Sequence, residues 1–284
     1  RDAQESRGLG DVYKRQNYAY INAILLDGSE KMAPQADLVV RTNGENIVDI
    51  VPKGTDLTGY TIVDLKDKYL MPGLINLHVH LPASGRPQKK QRDNTKLVKF
   101  VTSSALTRSI LQAVCEKNAQ MQLYSGVTTL RTVGGIMNYD TKIRNKILSG
   151  QITGPRILAS NMAVSVPGGH MAGSVAYEAH SVKEAVDYVR RIAQDRPDLI
   201  KLMITGGVLD AKIKGEPGEL KMPAEYVKAA CKEAHRLGLK VAAHVESPQG
   251  VLAALENGVD SIEHGANPDD RIMELFKERG ACHI

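Results

Sequence analysis

Aromatic residues are scarce in this 284-residue sequence, which has no tryptophan, two phenylalanines and ten tyrosines. Proteins that bind nucleic acids by stacking on bases need aromatic rings among clustered basic residues. The formal net charge is +5, but the lysines and arginines are spread along the chain, and Lys89 to Arg92 forms the one local basic run. We interpret that run as a solvated loop and expect no nucleic-acid partner.

Cysteines and long apolar runs are also few. The three cysteines, Cys115, Cys231 and Cys282, have no Cys-x-x-Cys spacing, so we expect neither a disulfide framework nor a zinc ribbon. No apolar stretch approaches the roughly 20 residues that cross a bilayer, and the charged N-terminus lacks the hydrophobic core of a signal peptide. These absences predict a cytoplasmic protein without a membrane partner.

The N-terminal quarter of the chain is predicted to contain a small β domain. Residues 1–16 have neither a hydrophobic period nor an apolar face, and we expect them to be a leader foreign to the native protein. Within residues 17–70, β-rich runs occur at 18–26, 38–41, 47–51 and 61–65, and Asn43-Gly44 fits a tight hairpin turn. This pattern predicts a small antiparallel sheet.

From residue 71 to residue 284, short apolar strands alternate with amphipathic helices, which is typical of βα units and a parallel sheet. We predict strands at 74–80, 128–133, 156–161, 199–204, 240–245 and 261–264, with 281–284 entering a seventh. Helix starts are indicated by a capping box from Ser181 to Glu184, by Pro223, and by Ser247-Pro248.

Seven strands in this order favour an α/β fold of the TIM (β/α)8 barrel type over a doubly wound sheet, since no Gly-rich phosphate loop follows the first strand. Ile284 falls within the seventh predicted strand. We therefore expect the barrel of residues 71–284 to be incomplete at its C-terminal end. An open barrel leaves strand edges unpaired, so we also expect the chain as given to be poorly folded and inactive.

Four histidines occupy the ends of predicted strands. His78 and His80 are two residues apart in an extended run and project to the same side, while His244 and His264 end two later strands. The ends of parallel barrel strands meet at one face, and imidazoles there suit zinc, iron, nickel or manganese. Chance explains one His-x-His pair readily but explains all four poorly. We interpret the histidines at 180, 235 and 283 as structural or surface residues.

Lys201 interrupts an apolar strand, where a charged side chain is costly unless it is paired or neutralised. The alternative is that Lys201 lies near the start of the strand and extends to solvent. The residues alone leave both interpretations open.

Five ordered motifs resemble the amidohydrolase superfamily of metal-dependent hydrolases. They are Gly73-Leu-Ile-Asn-Leu-His-Val-His80, Gly126-Val-Thr-Thr-Leu-Arg131, Pro167-Gly-Gly-His170, Ile200-Lys-Leu-Met-Ile-Thr-Gly-Gly207 and Asp260-Ser-Ile-Glu-His-Gly265. The branch they resemble is that of the imidazolonepropionase-like and prolidase-like proteins, which includes Xaa-Arg dipeptidases. The resemblance implies a β-sandwich, to which residues 17–70 contribute, and a distorted barrel.

The resemblance also implies a site. His78, His80, His244 and His264 would bind metal, with Lys201 carboxylated by CO2 and bridging two divalent ions. Two zinc ions are expected, with manganese, iron, nickel or cobalt as alternatives. A carbamate forms from the neutral amine, so the lysine must be desolvated and have a lowered pKa.

Two further residues are candidates for substrate binding. By resemblance, His170 would reach the carbonyl or carboxylate of the substrate, and an exposed loop histidine is the alternative. Arg131 could meet an acidic group of the substrate or form a structural salt bridge. Asn76 and Thr132 stand where the family often has aspartate, and no tyrosine follows His244 closely, unlike in related dipeptidases. The strand-eight aspartate expected as metal ligand and general base lies beyond Ile284, so no catalytic residue is assigned.

The leading hypothesis is hydrolysis of an amide or other C–N bond through a metal-activated hydroxide, with dipeptides, N-acyl amino acids or cyclic amides as substrates. A mononuclear deaminase or imidazolonepropionase-type hydrolase, with Lys201 uncarboxylated, is one alternative. A lactonase is another, and a non-catalytic barrel scaffold is the third. The sequence leaves open the exact leaving group and whether the chain forms a homo-oligomer.

Overall fold

The fold is known from a computed structural model, which describes residues 16–83, 85, 94–208, 210–211 and 217–284. The basic run at 89–92 and the expected leader, apart from Gln16, lie outside the described residues. The described chain forms two compact units that divide between Gly73 and Leu74.

The first unit contains a four-stranded sheet. Its strands are β1 (Asn17–Leu25), β2 (Leu38–Asn43), β3 (Asn46–Pro52) and β4 (Thr61–Leu70), in the spatial order β3-β2-β1-β4. The tight turn after Asn43 is confirmed, since Asn43 pairs with Asn46 across a two-residue connection. Small and β-branched side chains of this sheet are buried, among them Ala19, Val39 and Val40, and the consecutive Val39 and Val40 face opposite sides of it.

The prediction that this sheet is antiparallel is wrong for β4. Strand β1 pairs antiparallel with β2 but parallel with β4, because the chain after β3 crosses to the far side of β1. Hydrophobic alternation identifies the buried face of a strand but not its direction, so the sequence could not reveal this crossover. A sandwich requires a second sheet packed on this one, and that expectation stays a prediction.

The second unit contains two parallel sheets. One has the order β5-β6-β7, from β5 (Leu74–Val79), β6 (Val127–Thr132) and β7 (Arg156–Leu158). The other has the order β13-β12-β11-β10-β8-β9, from β8 (Ala163–Ser165), β9 (Ala176–Glu178), β10 (Leu199–Met203), β11 (Lys240–Val245), β12 (Ser261–His264) and β13 (Cys282–His283). Strand pairs within both sheets are parallel, as the alternating pattern predicts.

Helices connect these strands. They are α1 (Asn94–Val101), α2 (Ala105–Tyr124), α3 (Tyr139–Leu148), α4 (Val182–Ala193), α5 (Ala224–Arg236), α6 (Pro248–Glu256) and α7 (Asp270–Arg279). Two predicted N-caps are confirmed, because the side chains of Ser181 and Ser247 accept hydrogen bonds from backbone N–H groups in the first turns of α4 and α6. The helix start indicated by Pro223 is confirmed, with Pro223 as the N-cap residue of α5. No helix in the described part of the chain is long and apolar enough to cross a membrane.

The sequence did not predict β8 and β9, and it made β7 too long. Strands β8 and β9 have three residues each, which is too short to show an alternating pattern. Strand β7 ends at Leu158, and the chain then reaches Asn161 with a φ of 61°. The loops that follow these short parallel strands gather in one region of the second unit. They carry the polar residues of the candidate site.

Candidate metal centre

Four histidines gather where parallel strands of the second unit end. His78 is the fifth residue of β5, His80 follows that strand, His244 is the fifth residue of β11, and His264 ends β12. The ring centroid of His78 lies 5.1 Å from that of His80 and 4.7 Å from that of His264, and the centroids of His244 and His264 are 5.0 Å apart. The structure therefore brings together the four histidines that the sequence assigned to strand ends.

The hydrogen bonds of His78 and His80 fix their tautomers. His78 Nδ1 lies 2.9 Å from Glu263 Oε2, and His80 Nδ1 lies 2.7 Å from the carbonyl oxygen of Gly134. A carboxylate and a carbonyl oxygen can only accept, so each imidazole donates from Nδ1. When such a ring is neutral it presents the lone pair of Nε2, which is the arrangement that histidine ligands of metals use.

The two Nε2 atoms of this pair are only 3.2 Å apart. Two lone pairs at that distance repel one another, so the geometry calls for a proton on one ring or a cation shared by both. Burial lowers the pKa of His80 to about 4, which disfavours the proton on that ring at neutral pH. A cation shared by both Nε2 atoms satisfies this geometry.

Glu263, a buried carboxylate in β12, lies between His78 and Arg131. Arg131 Nη2 donates to Glu263 Oε1 at 2.5 Å, Nη1 donates to Ser261 Oγ at 3.0 Å, and Nε donates to a backbone carbonyl of β5 at 2.8 Å. Burial by itself raises the pKa of Glu263, but the hydrogen bond from His78 and the charges of Lys201 and Arg131 hold it at about 2. The guanidinium is committed to protein groups, which favours the salt-bridge interpretation of Arg131 over a substrate contact.

Lys201 occupies the middle of β10, a strand in which every residue is buried. Its side chain is 1% exposed, and its Nζ has no hydrogen-bond partner among the residues that the structure describes. Burial lowers the pKa of Lys201 to about 7, while the charge of Glu263 opposes the shift and that of Arg131 adds to it. The structure thus contradicts the alternative in which this lysine extends to solvent.

His244 contributes a second buried nitrogen without a partner. Its Nε2 has no hydrogen bond within the described ranges, and the Oε1 atom of Glu246 is 3.7 Å away, too far for one. The ligand atoms of His244, Glu246 and His264 all lie within 4.8 Å of one another. Burial lowers the pKa of His244 to about 2 and that of His264 to about 4, so both rings are neutral and can bind metal.

His170 stacks on His244, with ring centroids 4.0 Å apart and an interplanar angle of 10°. Its Nδ1 is hydrogen-bonded to the carboxylate of Asp210, which also accepts from Gly207 N at 2.9 Å. A Cβ atom at position 207 would lie 2.8 Å from the His170 ring and 3.1 Å from His244 Nε2. Glycine is required there because both imidazoles approach its backbone closely.

The carbonyl group that accepts from His80 belongs to a loop held by buried polar side chains. Gly134 N donates to Ser160 Oγ at 2.8 Å, and Ser160 Oγ donates to the carbonyl of Asn161 at 3.2 Å. Asp140 accepts a hydrogen bond from Asn161 N at 3.1 Å. Burial raises the pKa of Asp140 to about 6, although two hydrogen bonds oppose the shift. This network fixes the acceptor that sets the tautomer of His80.

Sequence reasoning missed three carboxylates of this region. Glu263 carries the same signal as Lys201, since it is a charged residue inside an apolar strand, and that signal could have revealed it. Glu246 and Asp210 follow β11 and β10 closely, at the strand ends where polar residues gather in parallel folds. The remaining histidines lie at the surface: His180 and His235 are near Glu178 and Asp260, and His283 Nε2 is 2.8 Å from His264 O.

Comparison with known proteins shows the family of this chain. Residues 69–282 match the amidohydrolase family. The chain belongs to this family. The resemblance carried by the five sequence motifs is thereby confirmed, and members of the amidohydrolase family generally use divalent metals.

Several relatives of this amidohydrolase are known. The chain is 28% identical over 239 residues to the ochratoxinase of Aspergillus niger, an alignment that covers 76% of this chain and 47% of that protein. A Bifidobacterium longum protein assigned as a prolidase is 32% identical, with a TM-score of 0.73 over 92% of this chain and 57% of the other. A Xaa-Pro dipeptidase with bound methionine in its active site is 27% identical, with a TM-score of 0.75 over 95% and 66%. The chain spans about half the length of the ochratoxinase.

Proposed function

We propose that this protein hydrolyses an amide or another C–N bond at a divalent metal centre held by His78, His80, His244 and His264. The centre is proposed to be binuclear, with Lys201 carboxylated and bridging two zinc ions. The observation that carries the proposal is that His78 and His80 both donate from Nδ1, so that their Nε2 atoms face each other 3.2 Å apart, where one cation could bind both. Membership in the amidohydrolase family supports it.

The proposal for the fold rests on comparison with solved structures. We infer that the two parallel sheets of residues 71–284 are parts of one distorted (β/α)8 barrel, and that the sheet of residues 17–70 is part of a β-sandwich. Prolidase-like structures that align with more than nine-tenths of this chain favour this assignment. The convergence of strand ends on the histidine cluster fits it, because barrel enzymes carry their sites at that face.

The chemistry of the donor atoms fits a metal. The cluster offers four imidazoles, and one of them, His244, has a buried Nε2 that no group in the described part of the chain satisfies. A buried polar atom without a partner is costly, so its retention favours a ligand that satisfies it. Imidazole nitrogens suit zinc, and Glu246 adds a carboxylate within ligand distance of two of these rings.

Lys201 is suited to carboxylation. Its amine must be neutral for the nitrogen to bond to the carbon of CO2 and then lose a proton, which leaves a carbamate anion. A pKa of about 7 makes a large neutral fraction available at physiological pH. The resulting anion would occupy the buried position of Lys201, whose charge acts on His244 and His264, and would balance the charge of bound cations.

The protein groups around the centre have separable tasks. When bound, the metal would supply a water molecule of lowered pKa and would polarise the carbonyl of the substrate. Glu263 and the Gly134 carbonyl hold the Nδ1 protons of His78 and His80, so both Nε2 atoms stay available. His170, oriented by Asp210, is proposed to bind the carbonyl or carboxylate of the substrate. We assign no residue of this chain as the general base.

The substrate is proposed to be a dipeptide, an N-acyl amino acid or a cyclic amide. Relatives of this chain include an ochratoxinase, a protein assigned as a prolidase and a Xaa-Pro dipeptidase. Because these relatives differ in substrate, we propose a class of small amides rather than one particular compound. Specificity in such folds is set by the loops that follow the strands.

A hydrolysis assay on the full-length, metal-loaded protein tests the proposal. We expect release of amine from a panel of N-acyl amino acids and dipeptides by the wild type. His244→Asn should lower kcat/KM by more than about 100-fold, since even residues that only orient a metal ligand typically cost 10- to 100-fold. The matched control is His180→Asn, at a surface histidine, which should leave kcat/KM unchanged. Equal activity in both variants would contradict the proposed site.

A further inference from the structure

A chamber of about 250 Å³ lies beside the histidine cluster, and His80 forms part of its wall. Its remaining lining is almost entirely apolar and comes from the end of β5, from helices α1 and α2, and from the loops after β6 and β8. The lining residues that matter most here are Leu97, Val98, Leu111, Ile136, Met171 and Val175.

The polarity of this chamber is low. Besides His80, the only polar side chain among its described lining residues is Ser174, whose hydroxyl donates to the carbonyl of Met171 at 2.7 Å. Neither residue therefore leaves an unsatisfied donor for a charged or strongly polar ligand. Burying a charge in such surroundings is costly, whereas an apolar group gains from leaving water.

The chamber has the size of a substantial side chain. An engineered apolar cavity of about 150 Å³ in another protein stays dry and binds benzene. A chamber of about 250 Å³ can therefore hold an aromatic ring with a short substituent, or a branched alkyl group.

Two residues connect the chamber to the proposed metal centre. His80 belongs to both the chamber and the centre, because its Nε2 faces His78 while its ring lines the chamber. Met171 lines the chamber directly after His170, which stacks on His244. The proposed contact of the substrate carbonyl and one wall of the chamber are thus carried by the consecutive residues His170 and Met171.

We propose that this chamber is a substrate subsite that receives one apolar group, an aromatic ring or a branched alkyl chain, next to the scissile C–N bond. The inference rests on the proposed function, and it adds the chemical class of the group that the substrate carries there. It excludes a charged substituent at that position.

A binding experiment tests the chamber without relying on catalysis. In the full-length, metal-free protein labelled with 13C at methionine methyl groups, toluene should shift the Met171 signal, which a Met171→Leu variant identifies. Val98→Phe places an added ring at the chamber wall and should abolish the shift. Val114→Phe is the matched control, at a half-exposed valine of α2 that does not line the chamber, and should retain it.

A kinetic experiment then asks whether substrates use the chamber. Two series of amides, varied from methyl to butyl to benzyl on the acyl side or on the amine side, are given to the full-length, metal-loaded protein. In one series kcat/KM should rise at least about 10-fold from methyl to benzyl, since one methylene in an apolar pocket is worth about 10-fold or more. Val98→Phe should remove that gain, and Leu111→Ala, which enlarges the chamber, should extend it to a naphthylmethyl group.

The outcomes separate the subsite from the proposed function. If toluene leaves the Met171 signal unchanged, the subsite is wrong whether or not amides are hydrolysed. If toluene binds but substituent size has no effect on kcat/KM, the chamber is not a substrate subsite. If toluene binds and neither series is hydrolysed, the proposed function fails, and the assignment to a substrate fails with it.

Discussion

Replacing Glu263 by glutamine tests how the site is held together, because this one carboxylate accepts hydrogen bonds from His78, Arg131 and Ser261. Its Oε2 accepts from His78 Nδ1 at 2.9 Å, and its Oε1 accepts from Arg131 Nη2 at 2.5 Å. The change keeps the shape of the side chain and removes its charge. We expect two effects that can be measured separately, one on stability and one on metal affinity.

The stability effect follows from burial. Glu263 is fully buried and the side chain of Arg131 is 12% exposed, so the variant leaves a nearly buried guanidinium without its anion. Breaking one side of a buried ion pair typically costs about 3–5 kcal/mol. For a unit of this size each kcal/mol lowers Tm by about 2–4 °C, so we expect a fall of roughly 6–20 °C. Glu116→Gln is the control, because its ion pair with Lys146 is partly exposed and worth about 0–1 kcal/mol.

The metal effect follows from the tautomer of His78. An amide at position 263 no longer offers a charged acceptor to Nδ1, and loss of such a partner typically costs 10- to 100-fold in metal affinity. Adding Arg131→Met to Glu263→Gln removes the unpaired cation and should restore much of the stability but none of the affinity. Urea unfolding and competition with a chelator measure the two quantities. Wild-type metal affinity in Glu263→Gln would refute the reasoning that this carboxylate orients His78.

Two other predictions concern the network behind His80. Ser160→Ala should destabilise the full-length protein by about 1–3 kcal/mol in urea unfolding, because Gly134 N would lose its buried acceptor. The control Ser149→Ala, at an exposed helix end, should change the free energy of unfolding little. Equal losses of stability in the two variants would contradict the role of Ser160. Asp140 has a folded-state pKa raised to about 6 from 3.8, so the folded state binds its proton more tightly than the unfolded state and stability falls as the pH rises from about 4 to 6. Asp140→Asn removes this titration, and its stability relative to wild type should increase across that window by up to about 3 kcal/mol; a pH-independent difference between the two proteins would argue against the raised pKa.

The parallel architecture was predictable because each βα unit carries local signals. Strand β11 reads as an apolar run, and the helices after it begin at capping residues such as Ser247, so the alternation is visible in the sequence itself. The parallel pairing of β1 with β4 was not predictable, since it depends on where the chain crosses the sheet. Strands β8 and β9 were missed because each has only three residues, which is too short for a hydrophobic pattern. Their pairing with neighbouring strands defines them instead.

The site was predictable to the extent that its residues break a pattern. His78, His80, His244 and His264 end apolar strands, and Lys201 interrupts one, so each of them stands out in the sequence alone. The partners that orient these residues are distant in sequence: Glu263 lies 185 positions from His78, and Gly134 lies 54 positions from His80. Their roles depend on which loop end reaches which ring, and local sequence carries no information about that.

The metal content of the full-length protein, purified with bicarbonate present, tests the central claim most directly when it is compared with a Lys201→Ala variant. We predict two metal ions per chain in the wild type and one or none in the variant, because the bridging carbamate is lost. One ion per chain in both proteins would contradict the carboxylated, binuclear centre and favour the mononuclear alternative. A wild-type protein that binds no metal would contradict the metal centre itself.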